Sequence, residues 1–503
     1  MRRKKLYGLL RAVPFEQLVF AVWDIRQAQS QNDWHPKLIH NMPSDWLKAT
    51  IGDRSYFYPW TLEALVNLAL ENELGTSGKK GRWLDLRYAE GFFTVWKALR
   101  NFEDVEESIA LKRADVFQVM FRLTRRQFEW QQGFWNAPRI LLYLSIFGGP
   151  KCRAAFRSRY SFELETFFKF VFVVAAILSE NSKLTKEFDG SAVGIDQETQ
   201  RLCWPLISAS AEVSRARLRA IRTGYSEKSY APSILREAPC IDFGTYVIAP
   251  LVECLYSRMT DGIYYDVVKD GAARDEFGRK FEEVISNLIA SRTTKYTIRG
   301  EIIYGKESRK TPDLFVLDHT GSRLVIEAKA TKISSKSRFN TAPVVNVEDS
   351  FHSIAKAHVQ LWRFVQHSVE GVIPSIYSAT ANTRLMIVAL EQWIGPETGI
   401  DRAILELANR LADEEGVSRD SRVRRAVHFA TVADLHYILG KGTTEELVDL
   451  IDHMETSNYT GWMASKVFDE VFGKRDFDDV LLHTSMEKLE LLLPWLNEIK
   501  GKT

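Results

Sequence analysis

The chain has 503 residues, of which 45% are hydrophobic, 26% charged and 12% aromatic, which excludes disorder as its main character and predicts about two to four packed domains. Lys plus Arg number 67 against 65 Asp plus Glu, so no bulk field demands a polyanionic partner, although a local groove needs no basic whole. The four cysteines, at 152, 203, 240 and 254, lack the paired spacing of a zinc site or a disulfide scaffold, and a reducing cytoplasm is the expected compartment.

The opening MRRKKLYGLLRAVPFEQLVF is basic but lacks a small-residue cleavage pattern, and Arg11 and Glu16 interrupt its apolar run. Helical periodicity dominates the first half, as in LEALVNLALENEL (62–74), AEGFFTVWKALRNF (89–102) and DVFQVMFRLTRRQFEW (115–130). The greasiest stretch, FVFVVAAIL (170–178), falls far short of the ~20 residues of a bilayer crossing and predicts a buried helix rather than a membrane anchor. Basic clusters at Lys151, Arg153, Arg157 and Arg159, and at Arg215, Arg217, Arg219 and Arg222, read either as solvated helix faces or as contacts to a polyanion. Residues 1–265 form the expected N-terminal region, mainly helical, and show no arrangement of nucleophile, base and acid.

The pattern changes near residue 270. DEFGRKFEEVISNLIA (275–290) is an amphipathic helix with Phe277, Phe281, Val284, Ile285 and Leu288 on one side. Strand-like segments follow at KYTIRGEIIYG (295–305), TPDLFVLD (311–318) and RLVIEAKAT (323–331), the last two joined through DHTGS. A helix is predicted over 349–369, then short strands at PSIYSA (374–379) and TRLMIVALEQW (383–393). Residues 270–400 therefore make one α/β unit, and 401–503 a helical C-terminal extension with one strand-like piece, AVHFAT (426–431), packing on it.

The informative chemistry lies in the second and third strands. Alternation sends Val325, Glu327 and Lys329 to one face and Leu324, Ile326, Ala328 and Ala330 to the other. A carboxylate and an ammonium end an otherwise apolar strand, and burying charge there is costly unless it is paired or metal-bound. Asp313 lies beside Glu327 if the hairpin pairs in register, and two carboxylates so close repel unless a cation relieves them. Oxygen ligands of this kind suit Mg²⁺, with Mn²⁺ able to substitute, and the backbone carbonyl of Ala328 is a third candidate ligand. An ordinary Glu–Lys pair on an exposed edge strand is the competing account.

TPDLFVLD followed by LVIEAKA resembles the signature of the PD-(D/E)xK nuclease superfamily. The resemblance covers about residues 275–393 and implies a restriction-endonuclease-like core, a mixed sheet flanked by helices. It implies Asp313 and Glu327 as metal carboxylates and Lys329 as the catalytic lysine. It adds a glutamate from the first core helix, Glu282 with Glu283 in reserve, as a further catalytic and metal residue. It also adds a glutamine after the ExK strand, Gln360, although the tyrosine that follows such a glutamine is Phe364 here.

Between 305 and 338 eight Lys or Arg face four acids, and Lys306, Arg309, Lys310, Lys332, Lys336 and Arg338 are the candidate phosphate contacts, a pair of solvated loops being the alternative. No GxxxxGK[ST] loop supplies an ATP site. The expected function is that of a Mg²⁺-dependent endonuclease acting on DNA in prokaryotic defence, with residues 1–265 recognising substrate or partner and with a homo-oligomer or a partner protein of a multi-component system as the expected assembly. The alternatives are a site-specific restriction or transposon-end endonuclease, and a non-catalytic nucleic-acid-binding or assembly subunit.

Overall fold

The computed structural model describes residues 2–30, 36–72, 84–112, 123–124, 126–127, 129–131, 137–225, 227–333, 347–392, 399–455, 457–459 and 462–478. The architecture is mixed α/β, with three sheets and many helices among the described residues. In the first 265 residues helices dominate, and their only sheet among the described residues is a small four-stranded one ordered 184–185, 246–248, 240–242, 208–210. The apolar run at 170–178 lies in the helix Leu164–Glu180, whose Phe167, Phe170, Val171, Val174 and Leu178 are buried. Among the described residues no helix is long and apolar enough to cross a membrane. All four cysteines are buried and unbridged.

Two helices of this half matter below: α1 (Ala137–Phe147) and α2 (Pro150–Tyr160). Both pack against α3 (Gly271–Ala290), which starts where the Asp270 carboxylate caps the Ala273 N–H at 2.9 Å. Its Phe277, Phe281, Val284, Ile285 and Leu288 are buried, as the period requires. Glu276 of the same helix accepts the N–H groups of Lys151 and Cys152 at 2.8 and 2.9 Å, so a buried carboxylate of α3 caps the start of α2. One continuous apolar core consequently runs from Leu6 through α3 to Phe468.

The main sheet has five strands: β1 (Thr297–Gly300), β2 (Leu314–Asp318), β3 (Gly321–Lys329), β4 (Ala379–Ala389) and β5 (Val427–Thr431), in that spatial order. The first three are antiparallel, and β3, β4 and β5 are mutually parallel. The crossovers pass through α4 (Val347–Val369) and α5 (Ile400–Glu414). Both helices cover one face, over Phe315, Leu317, Val325, Leu385 and Ile387. On the other face Leu314, Val316, Leu324, Ile326, Met386 and Val388 join the core shared with α3. The strands read as nearly unbroken apolar runs because both sides are covered.

Two segments differ from their expected form. KYTIRGEIIYG is split: β1 ends at Gly300, and Ile303–Tyr304 pairs with Arg309–Lys310 in a separate hairpin that turns through Gly305 at φ +69°. PSIYSA is mostly a 3₁₀ turn at Ser375–Tyr377, where the Tyr377 carbonyl accepts the Ser322 hydroxyl at 2.6 Å. The sheet also runs past residue 400, since β5 supplies its fifth strand. The next helices, Val432–Lys441 and Thr444–Met454, each begin with a capping box, Thr431 with Asp434 and Thr443 with Glu446.

Candidate active site

β2 and β3 pair Leu314 with Ile326 and Phe315 with Val325, so one residue further Asp313 stands opposite Glu327. The ladder stops there because Pro312 has no N–H to offer. The Asp313 carboxylate instead accepts the Ala328 N–H at 2.7 Å. In an extended strand the N–H and C=O of one residue point the same way, so the Ala328 carbonyl also faces Asp313.

Glu327 is only 3% exposed. One of its oxygens, Oε1, accepts a hydrogen bond from Lys329 Nζ at 2.6 Å, and the other, Oε2, is buried with no hydrogen-bond partner among the described residues. Burial first, and the neighbouring Asp313 second, push the Glu327 carboxyl up to about 7 despite the lysine. Burial likewise raises Asp313, against the pull of the Ala328 N–H and Lys329. Lys329 Nζ also donates to Gln360 Oε1 of α4 at 3.0 Å, so the glutamine implied by the resemblance is in contact with the lysine.

Glu282 lies on α3, half-buried, and its carboxyl is raised to about 7 by burial, then by Asp313 and Glu301. Glu283 instead points outward and pairs with Lys280 at 2.7 Å. Glu301 is a carboxylate that the sequence reading missed. The β1–β2 register pairs Gly300 with Leu314, so Glu301 continues the row opposite Asp313. Adjacent strands lie about 4.8 Å apart, which makes Glu301, Asp313 and Glu327 a cross-strand series of acids. Counting back along two correctly paired strands would have found it; the signal was hidden because EIIYG reads as a continuous strand.

The expected phosphate contacts are scattered. Lys306 is exposed, Arg309 is held by Glu307 and donates to His367 Nε2 at 3.2 Å, and Lys310 pairs with Glu301 at 2.8 Å. Lys332 is not at the surface: its side chain is 2% exposed and ion-paired with Asp261, so it does not join a phosphate-binding face in this structure. Lys336 and Arg338 lie outside the described residues. The N-terminal basic clusters are largely engaged: Arg153 pairs with Glu165 and Arg157 with Glu163, while Arg215 and Arg222 donate to the carbonyls of Leu70 and Pro232. Trp362 and Phe364 are core residues, and burial pushes the His358 imidazole down.

Among the described residues, no three His, Cys, Asp or Glu side chains are gathered closely enough to hold a metal ion by themselves. The site thus offers two facing carboxylates, one backbone carbonyl, a lysine steered by Glu327 and Gln360, and a third carboxylate on α3 within electrostatic reach. Neither a family model, nor a curated protein, nor a solved structure matches the chain.

Proposed function

We propose that the chain is a metal-dependent nuclease of the restriction-endonuclease-like kind, hydrolysing phosphodiester bonds in DNA at Asp313, Glu327 and Lys329. The observation that carries the reading is the buried, unpartnered Oε2 of Glu327 beside a second raised carboxyl. An oxygen-only donor set of two carboxylates and a backbone carbonyl fits Mg²⁺, which is commonly held by one or two carboxylates and completes its shell with water and substrate oxygens. A closed cage of three side chains is therefore not required. When bound, the cation supplies Lewis-acid polarisation of the scissile phosphate and acidifies a water.

The chain's own residues supply orientation and charge. Asp313 is fixed by the Ala328 N–H and Glu327 by Lys329 Nζ, so both carboxylates are held before substrate arrives. Lys329, steered by Gln360, presents a cation where negative charge builds on the phosphorus oxygens. Glu282, raised to about 7, is suited to holding or releasing a proton near neutral pH.

One observation favours a different reading, a nucleic-acid-binding subunit without catalysis: among the described residues, the side chains do not by themselves assemble a three-ligand metal cluster. The test is incubation of the full chain with linear, supercoiled and single-stranded DNA and with RNA, in Mg²⁺, Mn²⁺ or EDTA. Cation-dependent cutting of DNA that is lost in Asp313→Asn supports the nuclease. Tight DNA binding without cutting in any condition supports the subunit, and cutting of RNA alone changes the substrate.

A further inference from the structure

Lys332, three residues beyond Lys329, is enclosed rather than solvated. Its ammonium is ion-paired with Asp261 and lies 5.4, 5.4 and 6.0 Å from the ring centres of Tyr143, Tyr264 and Tyr265. Asp261 belongs to a π-helical turn, Arg258–Gly262, and also receives Arg139 Nη2 and Tyr143 Oη, both at 2.5 Å. Irregular turns of this kind recur at functional positions. Arg139 and Tyr143 come from α1, so the ion-pair partner of the Lys332 ammonium and the three rings around it all belong to the N-terminal region.

The backbone of the same segment is pinned as well. The Lys329 carbonyl accepts the Leu390 N–H at 3.1 Å, the Lys332 N–H reaches Tyr264 Oη at 3.4 Å, and the Ile333 N–H donates to Glu391 Oε1 at 2.5 Å. The exit of β3 is thus clamped between the end of β4 on one side and the N-terminal region on the other. Three residues span at most about 10 Å, which leaves little slack between the clamp and Lys329. Stability alone does not call for such a pair, since apolar residues of similar volume often serve as well in a buried site.

We propose that Asp261 is a positioning residue for the active site: through Lys332 it ties the exit of β3 to the N-terminal region, so that the placement of Lys329 depends on that region. The consequence for activity rests on the nuclease reading; the tether does not. Whatever engages the N-terminal half and shifts the turn at 258–262 then acts on the catalytic lysine by way of this ion pair.

The informative variant is Lys332→Met, which cuts the tether but leaves Arg139 and Asp261 as a neutral pair and keeps an unbranched chain among the tyrosines. Asp261→Asn, by contrast, leaves the buried Lys332 and the partly buried Arg139 without their shared counter-charge and is the arm more prone to misfolding. Full-length wild type and Lys332→Met would be compared by amide hydrogen exchange over 329–333 and by steady-state cleavage of DNA with Mg²⁺. With the fold retained by circular dichroism, exchange at Lys332 and Ile333 is expected to quicken by about tenfold or more. Turnover is expected to fall about 10- to 100-fold while KM changes less than about twofold, the signature of a displaced catalytic group. Unchanged exchange and unchanged kcat would overturn the proposal, as would a raised KM at full kcat, which would make Lys332 a phosphate contact. If wild type cuts no nucleic acid, the nuclease reading falls, while the exchange measurement still decides the tether.

Discussion

Asp261, partly buried, and Glu327, fully buried, are both carboxylates set among other charges, and the protein treats them in opposite ways. Asp261 receives a guanidinium, an ammonium and a phenol, and those partners hold its carboxyl far below the usual range although burial alone would raise it. Among the described residues Glu327 has a single cation partner, one oxygen left without a hydrogen bond, and a second acid opposite, and its carboxyl rises to about 7. A chain that satisfies the partly buried carboxylate at 261 so fully has not done so at the more deeply buried 327. The unsatisfied charge is a cost in folding that makes sense if a cation or substrate supplies the missing partner.

The largest expected effect is on catalysis. Lys329→Ala and Asp313→Asn should each lower kcat by about 10²–10³-fold in Mg²⁺ with the fold intact, the loss typical of one transition-state charge partner; Lys332→Met falls below them in the same assay.

Stability should separate the two carboxylates by sign. Asp261→Asn strands Arg139 and Lys332 and is expected to cost about 3–5 kcal/mol in urea unfolding. Glu327→Gln removes a poorly compensated buried charge and is expected to stabilise the cation-free protein at pH 8 by on the order of 1–3 kcal/mol. Equal losses in the two variants would erase the contrast.

The pH dependence follows with opposite signs. The folded-state value of Glu327 is raised, so its favourable contribution is full below about pH 4.5 and is lost as pH rises towards 7. Asp261 is depressed, so its contribution is present above about pH 4 and is lost only as pH falls further. Thermal melts of cation-free wild type should therefore decline between pH 5 and 7.5, and the decline should be shallower in Glu327→Gln. Added Mg²⁺ should raise the melting temperature more at pH 8 than at pH 5.5, by an amount that is lost in Asp313→Asn. The smallest effects belong to the exposed pairs: Lys310→Ala and Arg309→Ala should change stability by less than about 0.5 kcal/mol, and each should reduce the salt dependence of DNA binding by about one unit of slope if it meets a phosphate.

How much of this was legible beforehand varies with the distance over which each feature is specified. Alternation placed Glu327 and Lys329 on one face, opposite Leu324 and Ile326, and the two cores divide along that line. The facing of Asp313 and Glu327 followed from one short hairpin, whose turn is set by Asp318, which binds the Thr320 N–H at 2.7 Å, and by Gly321 at φ +128°. Glu301 escaped because its place depends on where β1 ends, and that is decided by the separate hairpin at 303–310 rather than by local propensity. Lys332 escaped for a stronger reason. In the chain it is one cation in a basic stretch, and nothing nearby in sequence marks it for burial. Asp261, Arg139 and the tyrosines that enclose it arrive from 67 to 193 residues upstream.

The sequence by itself determined the alternation of the strands, the amphipathic face of α3 and the acid–lysine triplet, because periods of two and 3.6 residues are local consequences of backbone geometry. Only the tertiary structure decided which charges are satisfied and which are left wanting. Pairing a buried charge needs partners brought by different elements to within a few ångströms, and that is a property of packing rather than of any segment.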